Sequence, residues 1–213
     1  MKSKKTPLSI DEEIEQLDSE PTIIIAMPTM TDPNFEKTVI VLIEHTKEGA
    51  TGFIVNRPTE TPLHSLILEN QIDIPDSIPA WFGGPAATDN GLVLHNQGEP
   101  GSAPGNICIS ASDLALEGLV EHANEHSANK DKDKDKDKDK DKDLLYPYRF
   151  LVGYAGWGPN QLEEEMKQGA WLQIPMNLKL VFNTPWDEMW KLSTASLGIA
   201  PTKLTPMQHD YLI

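Results

Sequence analysis

Cysteine is nearly absent from this chain. Cys108 is the only one, which excludes an intrachain disulfide and a multi-cysteine zinc knuckle. Basic residues are scarce as well: 18 Lys+Arg stand against 33 Asp+Glu, a formal net charge of −15. That balance opposes nonspecific attraction to nucleic acid or to anionic membrane surfaces, so DNA binding is not expected and no membrane partner is implied. Long apolar runs are missing too, none approaching the roughly 20 residues needed to cross a bilayer. The opening stretch, MKSKKTPLSIDEEIEQLDSE, has early lysines but no apolar core of a secretory signal. These absences point to the cytoplasm. No motif calls for a cofactor or a structural metal.

What is present is a chain long enough for one substantial core, with 38% hydrophobic residues in 213. Glycine and proline punctuate it most sharply between 151 and 172, LVGYAGWGPNQLEEEMKQGAWL. Phe150-Leu151-Val152 reads as a strand, Gly153, Gly156 and Gly158 as a tight turn, and Pro159 to Gly169 as a helix opened by proline and closed by glycine. The three glutamates Glu163, Glu164 and Glu165 suit the positive end of that helix.

The rest follows the same logic. Residues 1–20 form a polar lead with helical spacing of Ile10, Ile14 and Leu17. Thr22–Met27, Thr38–Glu44 and Phe53–Asn56 are β-rich apolar runs, the last two joined as a hairpin. Thr61-Pro62 opens a predicted helix through about Asn70, and Ala80–Phe82, Leu92–His95 and Asn106–Ser110 are short strands. Ser112 caps a predicted helix to about His126, with Leu114, Leu116, Leu119 and Val120 on its apolar side. Lys130 to Asp143 is seven Lys-Asp dipeptides. With no apolar residue it cannot offset the entropy of ordering, so an insertion at about 127–144 is expected to be disordered. Leu178–Phe182 reads as a last strand, Pro185 to Leu197 as a last helix, and 201–213 as a loose tail. The interspersed strands and helices predict a single compact α/β (α+β) domain over residues 21–200.

Candidate chemistry is sparse. His122 and His126 are four apart on a helix, but the HExxH pattern is absent and no third ligand suggests itself. Cys108 would need a base, with His95 and His45 the candidates; a buried or half-buried thiol is the simpler reading. G-Y-A-G-W-G matches neither G-x-G-x-x-G nor a P-loop, and no G-x-S-x-G elbow is present. Trp157, set between glycines, either packs against Gly83-Gly84-Pro85 or contacts a partner. Asp32, Glu44, Asp89 and Glu163 are acidic, with nothing in their spacing to unite them. The candidate interaction or ligand loop is therefore Gly83, Gly84, Pro85, Gly156, Trp157, Gly158 and Glu163.

A resemblance runs through many of these segments in one order: Ile25-Ala26-Met27-Pro28, Asp32-Pro33-Asn34-Phe35, Glu44-His45, Gly49-Ala50-Thr51-Gly52, Val55-Asn56-Arg57-Pro58, Gly83-Gly84-Pro85, Leu94-His95, Gly153 to Pro159, Gln161 to Glu165, and Trp171-Leu172. On them the chain resembles the YqgE/AlgH family of bacterial proteins. The resemblance implies a mixed, bifurcated and partly barrel-like β-sheet with flanking helices and no established catalytic residues. One branch carries a name linked to transcriptional control of alginate synthesis, which does not imply a DNA-binding mechanism. The chain departs from the family where Lys37-Thr38 replaces a frequent Arg-Ser, and where Asn90 and Met189 replace frequent arginines; these losses argue against anion binding. The expected function is that of a non-enzymatic regulatory or interaction protein with an unidentified protein partner. Alternatives are an enzyme with a small-molecule pocket near the Gly83–Pro85 and Gly153–Gly158 loops, or a transcriptional regulator.

Overall fold

A computed structural model of the chain describes residues 21–67, 72–96, 107–130 and 147–198. The predicted N-terminal helix, the Lys-Asp tract beyond Lys130 and the C-terminal tail lie outside the described residues. Among the described residues nine strands form one mixed sheet: β1 (Thr22–Ala26), β2 (Val39–Thr46), β3 (Gly49–Ile54), β4 (Pro58–Pro62), β5 (Pro79–Phe82), β6 (Ala86–His95), β7 (Cys108–Ser110), β8 (Tyr148–Trp157) and β9 (Trp171–Pro175). The main path runs β4-β5-β8-β3-β2-β1-β9 and is open at both ends, with β6 and β7 branching from β8. The helices are α1 (Asp113–Lys130), α2 (Gln161–Lys167), α3 (Leu178–Asn183) and α4 (Trp186–Ser196). None of the described helices is long and apolar enough to cross a membrane.

The apolar run of β1 is continuous because both its faces are covered. Ile23 and Ile25 join a core with Val181, Phe182, Met189 and Trp190 of α3 and α4. Ile24 and Ala26 join a second core with Ala155, Trp157, Leu162 and Trp171 on the other face. Trp190 anchors α4 by donating its indole N–H to the Ala26 carbonyl at 2.7 Å. A third core lies under α1, where Leu116, Leu119 and Val120 meet Val93, Leu63 and Ile78. Arg149 is wholly buried, with Nη2–H donated to the Val181 carbonyl and its guanidinium over the Trp81 ring.

Several expectations hold: the β2–β3 hairpin, the first strands, and α1 with the Ser112 hydroxyl accepting from the Ala115 N–H. Others are corrected. Leu178–Phe182 is the helix α3, not a strand, because Leu178, Val181 and Phe182 also fall at i, i+3, i+4, and the Asn177 side chain caps the turn by accepting from the Leu180 N–H. The helix expected after Thr61 shrinks to a 3₁₀ turn at Leu63–Ser65; Pro62 is the end of β4, paired with Pro79. β6 starts at Ala86, six residues before Leu92, and β9 was not anticipated. Leu114 is 73% exposed, off the buried stripe of α1. Gly153 and Gly156 lie in no turn but in the second half of β8, which runs to Trp157; the turn follows Gly158, at Pro159 and Asn160.

Candidate functional site

β8 is flanked on both edges at once. Phe150–Val152 pair with β5 in parallel and with β6 antiparallel, so β5 and β6 lie on opposite sides of it. The chain must therefore pass from one edge of β8 to the other between Phe82, partner of Val152, and Ala86, partner of Tyr154. Gly83, Gly84 and Pro85 make that passage. The Gly83 N–H bonds Val152 O at 2.8 Å, and its carbonyl accepts from Ile54 N–H at 2.8 Å. A Cβ on Gly84 would lie 2.1 Å from the Tyr154 carbonyl carbon, and one on Gly83 2.3 Å from Gly153 O. Only glycine allows one backbone to cross another so closely, and Gly84 also sits at φ +154°.

Gly153 has φ +72° within β8, and buried and more exposed residues go on alternating across it while the core they meet changes. Before it, Leu151 faces the core under α3 and α4; after it, Ala155 and Trp157 face the opposite core. One strand thereby serves both branches of the sheet.

The nearest neighbours of Gly83 and Gly84 are Leu151, Gly153, Tyr154 and Ala155 of β8. Trp157 is 6% exposed and packs between Phe35 and Trp171, with ring centroids at 6.3 and 5.8 Å. The Glu165 carboxylate joins the two indoles: its Oε2 accepts from Trp157 Nε1–H at 3.0 Å and from Trp171 Nε1–H at 2.7 Å. Its Oε1 accepts from the Gln161 amide at 2.9 Å, and Gln161 Oε1 accepts the Gly158 N–H at 3.0 Å. Asn160, at φ +60°, turns the chain from β8 into α2. Glu163 reaches the other way, to His45 Nε2 at 2.8 Å. Partial burial alone would raise the Glu163 carboxyl. A backbone N–H, the His45 hydrogen bond and charge, and Lys167 outweigh it, and the net position is below the ordinary carboxylate value.

The loop carrying Phe35 is held by two neighbours in sequence. Asn56 accepts the Val39 N–H and donates to the Lys37 carbonyl. Arg57 donates to the carbonyls of Pro33, Asn34 and Glu36 at 2.8–3.0 Å. The clamp holds Lys37 at φ +56°, which a non-glycine residue adopts at a cost.

These residues belong to the segments that carry the resemblance, and the comparison with known proteins agrees. The AlgH-like family model matches residues 23–202. The chain belongs to this family. UPF0301 proteins of Burkholderia vietnamiensis and Burkholderia mallei are 36% and 37% identical over 188 and 190 residues, covering 85% of this chain and 90% of theirs. The solution structure of the AlgH protein from Pseudomonas aeruginosa matches with a TM-score of 0.61 and 31% identity, over 84% of this chain and 89% of that one. A crystal structure from Corynebacterium diphtheriae shares the fold at a TM-score of 0.60 with 16% identity, over 89% and 88%.

The outward face of this AlgH-like crossing was not singled out by sequence reasoning. Tyr154 alternates with Ala155 and stands 36% exposed, its ring 3.1 Å from where a Gly156 Cβ would be. The only signal was an aromatic between glycines, which Trp157 shared. Gly156 itself is exposed and carries no positive φ, so its role is to leave the face flat rather than to permit a close crossing. Gly158 is exposed too, with only Gln161 Oε1 near a would-be Cβ, at 3.8 Å.

The remaining candidates are scattered. His45 is engaged with Glu163, whereas His95 lies directly across from Cys108 on β7 and across from Tyr148 on β8. His95 is 4% exposed and stacks on the Tyr148 ring at 5.6 Å, with His122 of α1 on the same ring at 6.0 Å. Burial, then the charge of Glu121, push the Tyr148 phenol up. The His126 side chain lies outside the described residues. Among those described, no three His, Cys, Asp or Glu side chains are placed to hold a metal ion. Asp32 caps its own turn by accepting the Asn34 N–H at 2.8 Å.

Proposed function

We propose that this AlgH-like protein is a non-enzymatic interaction protein with a regulatory role, and that it meets its partner through the strand crossing of Gly83–Pro85 over β8, on the outward face marked by Tyr154 and Gly156. One observation carries the reading. Several chemistry-bearing side chains of the family segments are engaged by other parts of the fold. Glu165 bridges two indoles, Glu163 holds His45, and Arg57 and Asn56 hold the Phe35 loop. Their polar atoms serve to build a rigid platform rather than to meet a substrate. What the platform turns outward is a half-exposed tyrosine in the middle of a sheet, a residue type enriched where proteins bind proteins.

Tyr154→Ala and Trp157→Ala separate platform from contact. Truncating Trp157 should cost about 3–5 kcal/mol of stability. Truncating Tyr154 should cost about 1 kcal/mol or less and yet remove partners retained by the immobilised wild-type protein in native lysate, scored by quantitative mass spectrometry. Identical retention by wild type and Tyr154→Ala would overturn the proposal.

A further inference from the structure

We infer that the partner presents a lysine- or arginine-bearing segment, received between the Tyr154 ring and the Glu44 carboxylate. This rests on the interaction reading above and adds the chemistry of what is bound. The strand register sets the geometry. Glu44 pairs with Thr51, and Thr51 pairs with Gly156, so the three form one row across β2, β3 and β8. Directly paired residues point to the same side of a sheet. Glu44 and Gly156 are exposed and Thr51 is half-buried, so the row faces solvent. The Tyr154 ring lies at the Gly156 end of it.

Neighbouring strands are about 4.8 Å apart, which puts Glu44 about 10 Å from Gly156 along the row. An extended arginine or lysine laid over the ring can reach that carboxylate. Between them Gly156 carries no side chain and Thr51 only a short one. The aromatic face attracts a cation, and the carboxylate gives it a charge-assisted acceptor.

The surroundings have the same sign. The β2–β3 hairpin carries Glu44 and Glu48 against one lysine, Lys47. On the other side of Tyr154, exposed Asp89 lies in the irregular run of β6 that follows Ala86, the partner of Tyr154. The net charge of −15 adds long-range attraction for a basic segment and repels an acidic one. Overall charge alone would not distinguish one face from another; the ring does.

The test uses the full chain with a short fluorescein-labelled arginine–glycine peptide and its glutamate–glycine counterpart, followed by anisotropy at about 0.15 M salt. The arginine peptide should bind and the glutamate peptide should not. Tyr154→Ala should weaken binding by about threefold to thirtyfold, with Tyr154→Phe close to wild type. Glu44→Gln should weaken it as well. Equal binding by wild type and Tyr154→Ala would reduce the effect to net charge and overturn the inference. So would no binding of the arginine peptide, or a Tyr154-dependent dimer in sedimentation, which would make a second copy the occupant. Should Tyr154→Ala lose its captured partners while the arginine peptide ignores the protein, the interaction reading stands and the basic-segment inference falls.

Discussion

At the scale of single residues, Glu165 carries more of the structure than its place in a run of three glutamates suggests. Its carboxylate is the acceptor for two indole N–H groups from β8 and β9, both belonging to buried tryptophans. Removing it leaves two donors unsatisfied in an apolar cluster, and such losses cost about 1–3 kcal/mol each for the first donor left without water. Glu165→Ala should therefore lower unfolding stability by about 2–4 kcal/mol in urea titration, with Glu165→Gln losing less because one acceptor oxygen remains. An alanine variant as stable as wild type would show that the indoles find other acceptors. Glu163 gives a pH prediction. Its carboxyl is depressed in the folded chain, so its contribution is present above the unfolded value and lost as pH falls through the lower folded value. His45→Ala should move the Glu163 carboxyl upward in an NMR titration. It should also narrow the stability difference between neutral and acidic pH on the high-pH side. An unmoved carboxyl would assign the depression to backbone and Lys167 alone.

At the scale of elements, β8 decides the fold. It holds β5 and β6 on opposite edges, carries the crossing chain over its middle, and then hands its far end to β3. The glycines of the two family segments therefore divide into two kinds. Gly84 has no space for a Cβ and a positive φ, whereas Gly158 has open space. Gly84→Ala should destabilise by more than about 3 kcal/mol or prevent folding, while Gly158→Ala should stay within about 1 kcal/mol, both read from thermal melts and soluble yield. Similar behaviour of the two variants would mean the crossing relaxes by shifting backbone. α2 follows from the same strand: Glu165 and Gln161 reach back to Trp157 and Gly158, so the helix is pinned to the strand end that precedes it.

At the scale of the molecule, the sheet's two faces and its branch under α1 form three separate apolar clusters rather than one. The Lys-Asp tract joins α1 to β8 and supplies no apolar residue to any of them. Replacing Lys130–Asp143 by a neutral Gly-Ser linker should leave the thermal midpoint nearly unchanged, since even doubling a flexible loop costs only about 0.6 kcal/mol. A fall of many degrees would show that the tract packs on the domain.

The sequence by itself determined the class of fold, the family and most strands, because β-branched runs such as Thr22-Ile23-Ile24-Ile25 and the helix with its Ser112 cap carry their signals locally. Local pattern misled where two periods coincide, as in Leu178–Phe182, and where glycine suggested a turn inside β8. Tertiary structure alone decided which aromatic faces water. Trp157 and Tyr154 stand in near-identical glycine settings. Across the left-handed Gly153 the strand keeps its alternation but meets a different core, so Trp157 reaches the partly buried carboxylate of Glu165 while Tyr154 stands at the surface. Which core each half of β8 meets follows from its pairing with β3 and β6, and that pairing leaves no trace in composition or spacing.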